Sequence, residues 1–145
     1  MISTATVENL ADINQICAAI TADRSNDHTL HGYFTSEIGL TTDQATFIFT
    51  RDESTVGFLR LHQYQSSECI FETFVLPQFQ SQGIGTELIR YCIEYVRMNM
   101  TYRRIHLAVL HSNTRAFDLY KREGFETYDQ DIKGKYMRLE LNRQC

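Results

Sequence analysis

Gly83-Ile84-Gly85-Thr86 stands between a strand-like run and a long apolar helical stripe, and it constrains the fold more than any other stretch of the chain. Upstream, Glu68 to Val75 reads as a strand that ends at Pro77. Downstream, Leu88, Ile89, Cys92, Tyr95 and Val96 recur at helical spacing to about Met100. The chain therefore passes from strand to helix through a glycine turn. A helix N-terminus carries unpaired N–H groups and the positive end of the helix dipole, and two glycines let backbone approach an anion closely. By themselves the glycines allow two readings, a phosphate site or a tight strand-to-helix turn. A Rossmann fingerprint needs a third Gly or an Ala where Leu88 stands, and a P-loop needs Gly-Lys-Ser/Thr, so NAD and ATP lose their support.

Glu8 to Ile20 carries Leu10, Ile13, Ile16, Cys17 and Ile20 on one helical stripe. Asp23 to Gln44 has weak periodicity and reads as loop with a short helix. Ala45 to Thr50 and Thr55 to Tyr64 read as two strands joined by a hairpin. Ile105, Leu107 and Val109 alternate along another strand, and Thr114 to Glu123 reads as a helix ended by Gly124. Phe125 to Asp131 and Lys135 to Leu141 form two closing strands about the turn at Lys133 and Gly134. The order is a mixed α/β pattern without repeat or linker, and 145 residues suit one domain.

The formal charge of −4 argues against a general nucleic-acid binder, because phosphate affinity rests on a surplus of Lys and Arg. The acidity is concentrated in residues 1–67, which hold eight acids and three bases. Cys17, Cys69, Cys92 and Cys145 are scattered without a CxxC pair, and His28-x-x-His31 lacks acidic or Cys partners, so no metal or redox dithiol is expected. No run approaches the roughly 20 apolar residues that span a bilayer, and Met1 to Leu10 lacks the features of a secretion signal, so a cytoplasmic protein is expected.

Gln80-Ser81-Gln82-Gly83-Ile84-Gly85 resembles the Gln/Arg-x-x-Gly-x-Gly/Ala motif of the GNAT superfamily of N-acetyltransferases, preceded as is usual there by Phe74-Val75-Leu76-Pro77. A second block, with Asn113, Ala116, Leu119-Tyr120 and Gly124-Phe125, resembles that family's Asn-x-x-Ala-x-x-x-Tyr-x-x-x-Gly-Phe segment at the usual distance downstream. The resemblance covers essentially the whole chain, residues 1–145. It implies a GNAT-like acyl-CoA N-acyltransferase fold, a twisted central mixed sheet of about seven strands flanked by about four helices. It further implies direct transfer of an acetyl group from acetyl-CoA to a primary amine in a ternary complex, without a metal. The alternative is a non-catalytic acyl-CoA-binding or regulatory module of the same fold, against which Tyr120 speaks.

The resemblance implies that acetyl-CoA is held by Phe74, Val75, Asn113 and the turn Gln80, Ser81, Gln82, Gly83, Ile84, Gly85 and Thr86. The pantetheine arm would lie in a splay between the strands ending at Val75 and Val109, with the Val75 N–H a candidate oxyanion donor. Asn113 reads equally as the N-cap of the Thr114 helix. Tyr120 would protonate the departing thiolate, and its alternative is a core aromatic beside Phe117 and Phe125. Glu72, a carboxylate in a strand expected to be central, would receive the substrate amine as binding group or base, and its alternative is an ion pair with a residue such as Arg60. The general-base Glu of the family's histone-modifying members falls where this chain has Cys69. Cys69 as an acyl-carrying nucleophile is a further alternative, although no His is visibly paired with it.

His106 and His111 flank the strand beside the splay and read as structural, with a His111 contact to cofactor or substrate as the alternative. Arg103, Arg104, Lys121 and Arg122 read as a solvated face or as a basic rim near the CoA 3′-phosphate. The expected acceptor is a small-molecule or peptide primary amine, cationic because the acidic first half includes the loop expected to cover it. Neither nucleic acid nor membrane is expected as a partner, and a homodimer is left open.

Overall fold

The computed structural model describes residues 1–9, 11–16 and 44–141 of the chain. Alternating apolar residues give β2 (Gln44–Arg51), β3 (Ser54–Gln65) and β4 (Glu68–Val75), which follow β1 (Ile2–Thr4) and pair antiparallel in succession. Beyond the glycine turn come α2 (Ile84–Asn99), β5 (Arg104–Leu110), α3 (Thr114–Arg122), β6 (Glu126–Gln130) and β7 (Gly134–Glu140). Residues 11–16 are helical and are called α1. The seven strands form one sheet in the order β1-β2-β3-β4-β5-β7-β6, mixed because β4 and β5 are parallel. The fold is the expected GNAT-like mixed sheet. The short helix expected within Asp23 to Gln44 lies outside the described residues.

Strand alternation divides the core between the two faces of the sheet. Leu88, Ile89, Cys92 and Val96 of α2 pack with Phe47, Leu59, Phe71 and Leu107, and α3 joins this face through Tyr120. On the other face Ile13 and Ile16 of α1 pack with Ile48 and Phe58, against which Phe74 and Leu76 lean. Burying these stripes is the main source of stability, since each fully buried large aliphatic side chain contributes about 1.5–3 kcal/mol. No helix among the described residues is long and apolar enough to cross a membrane.

The junction between β4 and β5 positions the site. Their parallel register covers only Glu68–Arg104, Cys69–Ile105 and Ile70–His106. Past Ile70 the two strands separate. Each keeps its other neighbour, β4 along β3 as far as the Gly57–Val75 pair and β5 along β7 to Gly134. A wedge opens in mid-sheet, and the glycine turn lies at its mouth.

Candidate active site

A cleft of about 790 Å³ fills the wedge and runs from Ile70 to the first turns of α2 and α3. One wall is the end of β4. The N–H of Leu76 donates to Val56 O at 2.9 Å, so antiparallel alternation turns both backbone polar groups of Val75 away from β3 and toward β5. The Val75 carbonyl is taken by Gln80 Nε2 at 3.0 Å. Its N–H faces the wedge, where β5 no longer runs alongside.

The mouth is a single 3-10 turn, Pro77–Phe79, followed by two residues in left-handed conformation, Ser81 at φ 65° and Gly83 at φ 83°. Gly83 is the N-cap of α2, and the first helical bond runs from Glu87 N–H to Gly83 O. The N–H groups of Ile84, Gly85 and Thr86 therefore precede the ladder and stand open at the positive end of the dipole. A Cβ built at Gly83 meets no protein atom within 4 Å, so the space in front of the turn is open to a ligand. This arrangement suits a pyrophosphate.

The far wall is α3. Asn113 is its N-cap, and its side chain accepts from the Ala116 N–H at 3.3 Å. The helix ends in a Schellman arrangement, with Phe125 N–H to Tyr120 O at 3.0 Å, Gly124 N–H to Lys121 O at 3.1 Å and Gly124 at φ 102°. The motif brings the Phe125 ring to 6.0 Å from Tyr120, and Phe71 of β4 meets Tyr120 edge-on at the same distance. Tyr120 is therefore a core aromatic and a cleft-lining residue at once, 8% exposed.

Glu72 also lines the cleft, but it follows Phe71 on β4 and so belongs to the opposite face of the sheet from Tyr120. The wedge is an opening through which groups from both faces reach one space. Burial pushes the Glu72 carboxyl up to about 7, against the opposing pull of the Arg60 cation. Neither Glu72 oxygen has a hydrogen-bond partner among the described residues.

Of the residues singled out in the sequence, Glu72, Tyr120, Phe74, Val75, Gln80, Ser81, Gly83, Ile84, Gly85, Thr86 and Asn113 all line this one cleft. Gln82 does not. Its Oε1 accepts from Arg51 Nη1 of the β2–β3 hairpin, and its Nε2 reaches Gln78 O at 3.5 Å. Cys69 is fully buried in the core, with Sγ 3.8 Å from Arg104 O, and lies outside the cleft lining. Arg104 is bound to Glu68 at 2.7 Å and to Glu140 at 2.5 Å, and His111 Nε2 sits 2.8 Å from Asp131 O in the β6–β7 turn. Neither belongs to the lining, whereas Arg122 does. Sequence reasoning passed over Arg115, which also lines the cleft; its signal was its place two residues after the N-cap Asn113. No group of three or more His, Cys, Asp or Glu suited to a metal occurs among the described residues.

The model of the acetyltransferase (GNAT) family matches residues 9–125, most of the chain and both walls of the cleft. The chain belongs to the GNAT family. Among curated relatives, the acetyltransferase PseH of Campylobacter jejuni is 24% identical over 123 residues, 85% of this GNAT chain and 74% of that protein. Among solved structures, the PaiA N-acetyltransferase of Thermoplasma acidophilum in complex with coenzyme A superposes with a TM-score of 0.80 at 15% identity, covering 97% of this chain and 98% of that one. Campylobacter jejuni PseH in complex with acetyl coenzyme A gives a TM-score of 0.69 at 19% identity over 98% of this chain and 100% of its own.

Proposed function

We propose that this GNAT protein transfers the acetyl group of acetyl-CoA directly to a primary amine in a ternary complex. The observation that carries the reading is the wedge, which joins a backbone anion site at the turn to a buried carboxylate and a buried phenol at its base. The turn Gln80 to Thr86 would hold the pyrophosphate, with Asn113 and the separated edges of β4 and β5 along the pantetheine arm. The Val75 N–H is oriented to polarise the thioester carbonyl. Complexes of related folds with coenzyme A and acetyl coenzyme A support this assignment.

Attack needs a neutral amine. Glu72 binds the ammonium and takes its proton, directly or through water, a task suited to a carboxyl held near 7. Tyr120 enters from the other face and gives its hydroxyl proton to the thiolate as the C–S bond breaks, recovering one afterwards from solvent. The acceptor is a small-molecule or peptide amine that is cationic before reaction, in keeping with the acidic first half of the chain.

Thiol release from acetyl-CoA tests the reading, measured against spermidine, lysine, glucosamine and a short peptide with a free N-terminus. Amine-dependent release abolished by Glu72→Gln and Tyr120→Phe supports it. Tight acetyl-CoA binding without turnover on any amine would instead make the chain a binding module.

A further inference from the structure

Arg60 and Glu72 are register partners across β3 and β4, on the face of the sheet that carries α1. Arg60 is only 5% exposed, and its Nε has no hydrogen-bond partner among the described residues. The two oxygens of Glu72 are equally unpartnered. Withdrawing a guanidinium from water is costly, and a pair kept for stability alone would close into the bidentate bond that Arg and carboxylate form readily. Here the pair stays open. The carboxyl group lines the cleft with both oxygens unpartnered, whereas Arg60 is not part of that lining.

We propose that Arg60 is a positioning residue for the transfer reaction, a fixed buried charge that keeps the Glu72 carboxyl ionised and ready for the amine. The inference rests on the role given to Glu72 under the proposed function. Burial and Arg60 act on Glu72 in opposite directions, burial raising its pKa and the cation lowering it. Among the described residues, the other titratable groups around Glu72 do not take over this task. His62, next on the same face of β3, is held below its ordinary value first by burial and then by Arg60, so it is uncharged at neutral pH. His106 on β5 is engaged with Glu68 at 3.1 Å and with the Tyr128 hydroxyl at 3.1 Å. Tyr120 from α3 reaches the cleft from the opposite face.

Two readouts test the inference: titration of the Glu72 carboxyl by carbon NMR in the ligand-free protein, and the pH profile of kcat/KM with acetyl-CoA and the most active amine of the panel above. Arg60→Met should raise the Glu72 midpoint by about one to three pH units. The acid limb of kcat/KM should move with it, lowering the value at pH 7 roughly five-fold or more for a one-unit rise, with recovery at higher pH. Arg60→Lys, which keeps the charge, should restore both. If Arg60→Met does not fold, Arg60→Gln carries the same comparison. An unmoved midpoint in a folded, uncharged variant overturns the inference while leaving Glu72 in place, provided Glu72→Gln loses activity. Full kcat/KM in Glu72→Gln overturns the role of Glu72, and the inference falls with it even if the midpoint moves.

Discussion

Gln80 Nε2 donates to the carbonyl of Val75 at 3.0 Å, tying the first residue of the glycine turn to the last residue of β4. The bond removes the acceptor at the end of the strand and leaves the neighbouring donor, the Val75 N–H, as the backbone polar group presented to the wedge. One contact thus sets both the sign of the backbone group presented to the wedge and the distance between that group and the turn.

Gly83→Val places a branched side chain in the open space before the turn and forces a φ of 83° that L-residues rarely adopt. Backbone strain should lower stability by about 1–3 kcal/mol. Acetyl-CoA affinity should fall by about a hundred-fold or more, because the Cβ occupies the approach of the phosphate. Calorimetry on the folded variant checks this, and unchanged affinity excludes the turn as the phosphate site.

Tyr120→Phe keeps the ring contacts with Phe71 and Phe125 and removes only the hydroxyl. Loss of a general acid lowers kcat by about 10² or more. Acetyl-CoA affinity should stay within about two-fold, and stability should fall by no more than about 1 kcal/mol. Steady-state kinetics with denaturant unfolding separates this outcome from a purely structural role, which would lower stability and spare kcat.

The Glu72 carboxyl, raised to about 7, makes two pH predictions. In the wild type kcat/KM should fall as pH drops through about 7, where the carboxyl gains its proton, and Glu72→Gln should remove that limb along with most of the activity. Stability moves in the opposite sense. A carboxyl raised on folding contributes fully below its unfolded value near 4.5, and the contribution is lost as pH rises through about 7. Urea unfolding at pH 5 and pH 8 should therefore show the wild type losing about 2.5 kcal/mol more than Glu72→Gln over that interval.

Asn113 serves as N-cap through its side-chain oxygen, and the proposed contact to the pantetheine would use its amide nitrogen. Asn113→Ser keeps a capping oxygen and drops the amide, whereas Asn113→Ala drops both. Only the Ala variant should lose about 1 kcal/mol of stability. Both should weaken acetyl-CoA, by a comparable factor near ten for one lost hydrogen bond. Thermal unfolding paired with binding isotherms checks the separation.

The first long strands were legible because period-two alternation survives in β2 and β3. Phe47, Phe49, Leu59 and Leu61 point one way and Ile48 and Phe58 the other, and burial follows that pattern. Glycine and the second motif gave the turn and the end of α3, since a left-handed residue at Gly83 or Gly124 is a local requirement written in one letter. The wedge itself was not legible from spacing, because where a parallel register stops depends on how α2 and α3 hold two strands apart. The resemblance supplied it. Side-chain direction within an exposed turn was equally hidden: Gln82 sits among cleft-lining residues in sequence, yet its amide turns to Arg51. The open geometry of Arg60 and Glu72 required the cross-strand register, which alternation alone does not fix.

The short parallel register between β4 and β5 has a mechanical consequence. Three residue pairs join two smaller sheets, β1 to β4 on one side and β5, β7 and β6 on the other, so the seam carries far fewer cross-strand bonds than the ladders beside it. A molecule that enters the wedge and pairs with both edges completes the ladder as an extra strand segment would. Saturation at about 100 times Kd would then add about 2.7 kcal/mol to cohesion across the seam. Without ligand, amides of β5 and β7 should exchange with solvent independently of those in β2 and β3, and acetyl-CoA should merge the two groups into one cooperative unit. Substrate would then act as a removable piece of the scaffold, and each turnover would loosen the sheet as product leaves.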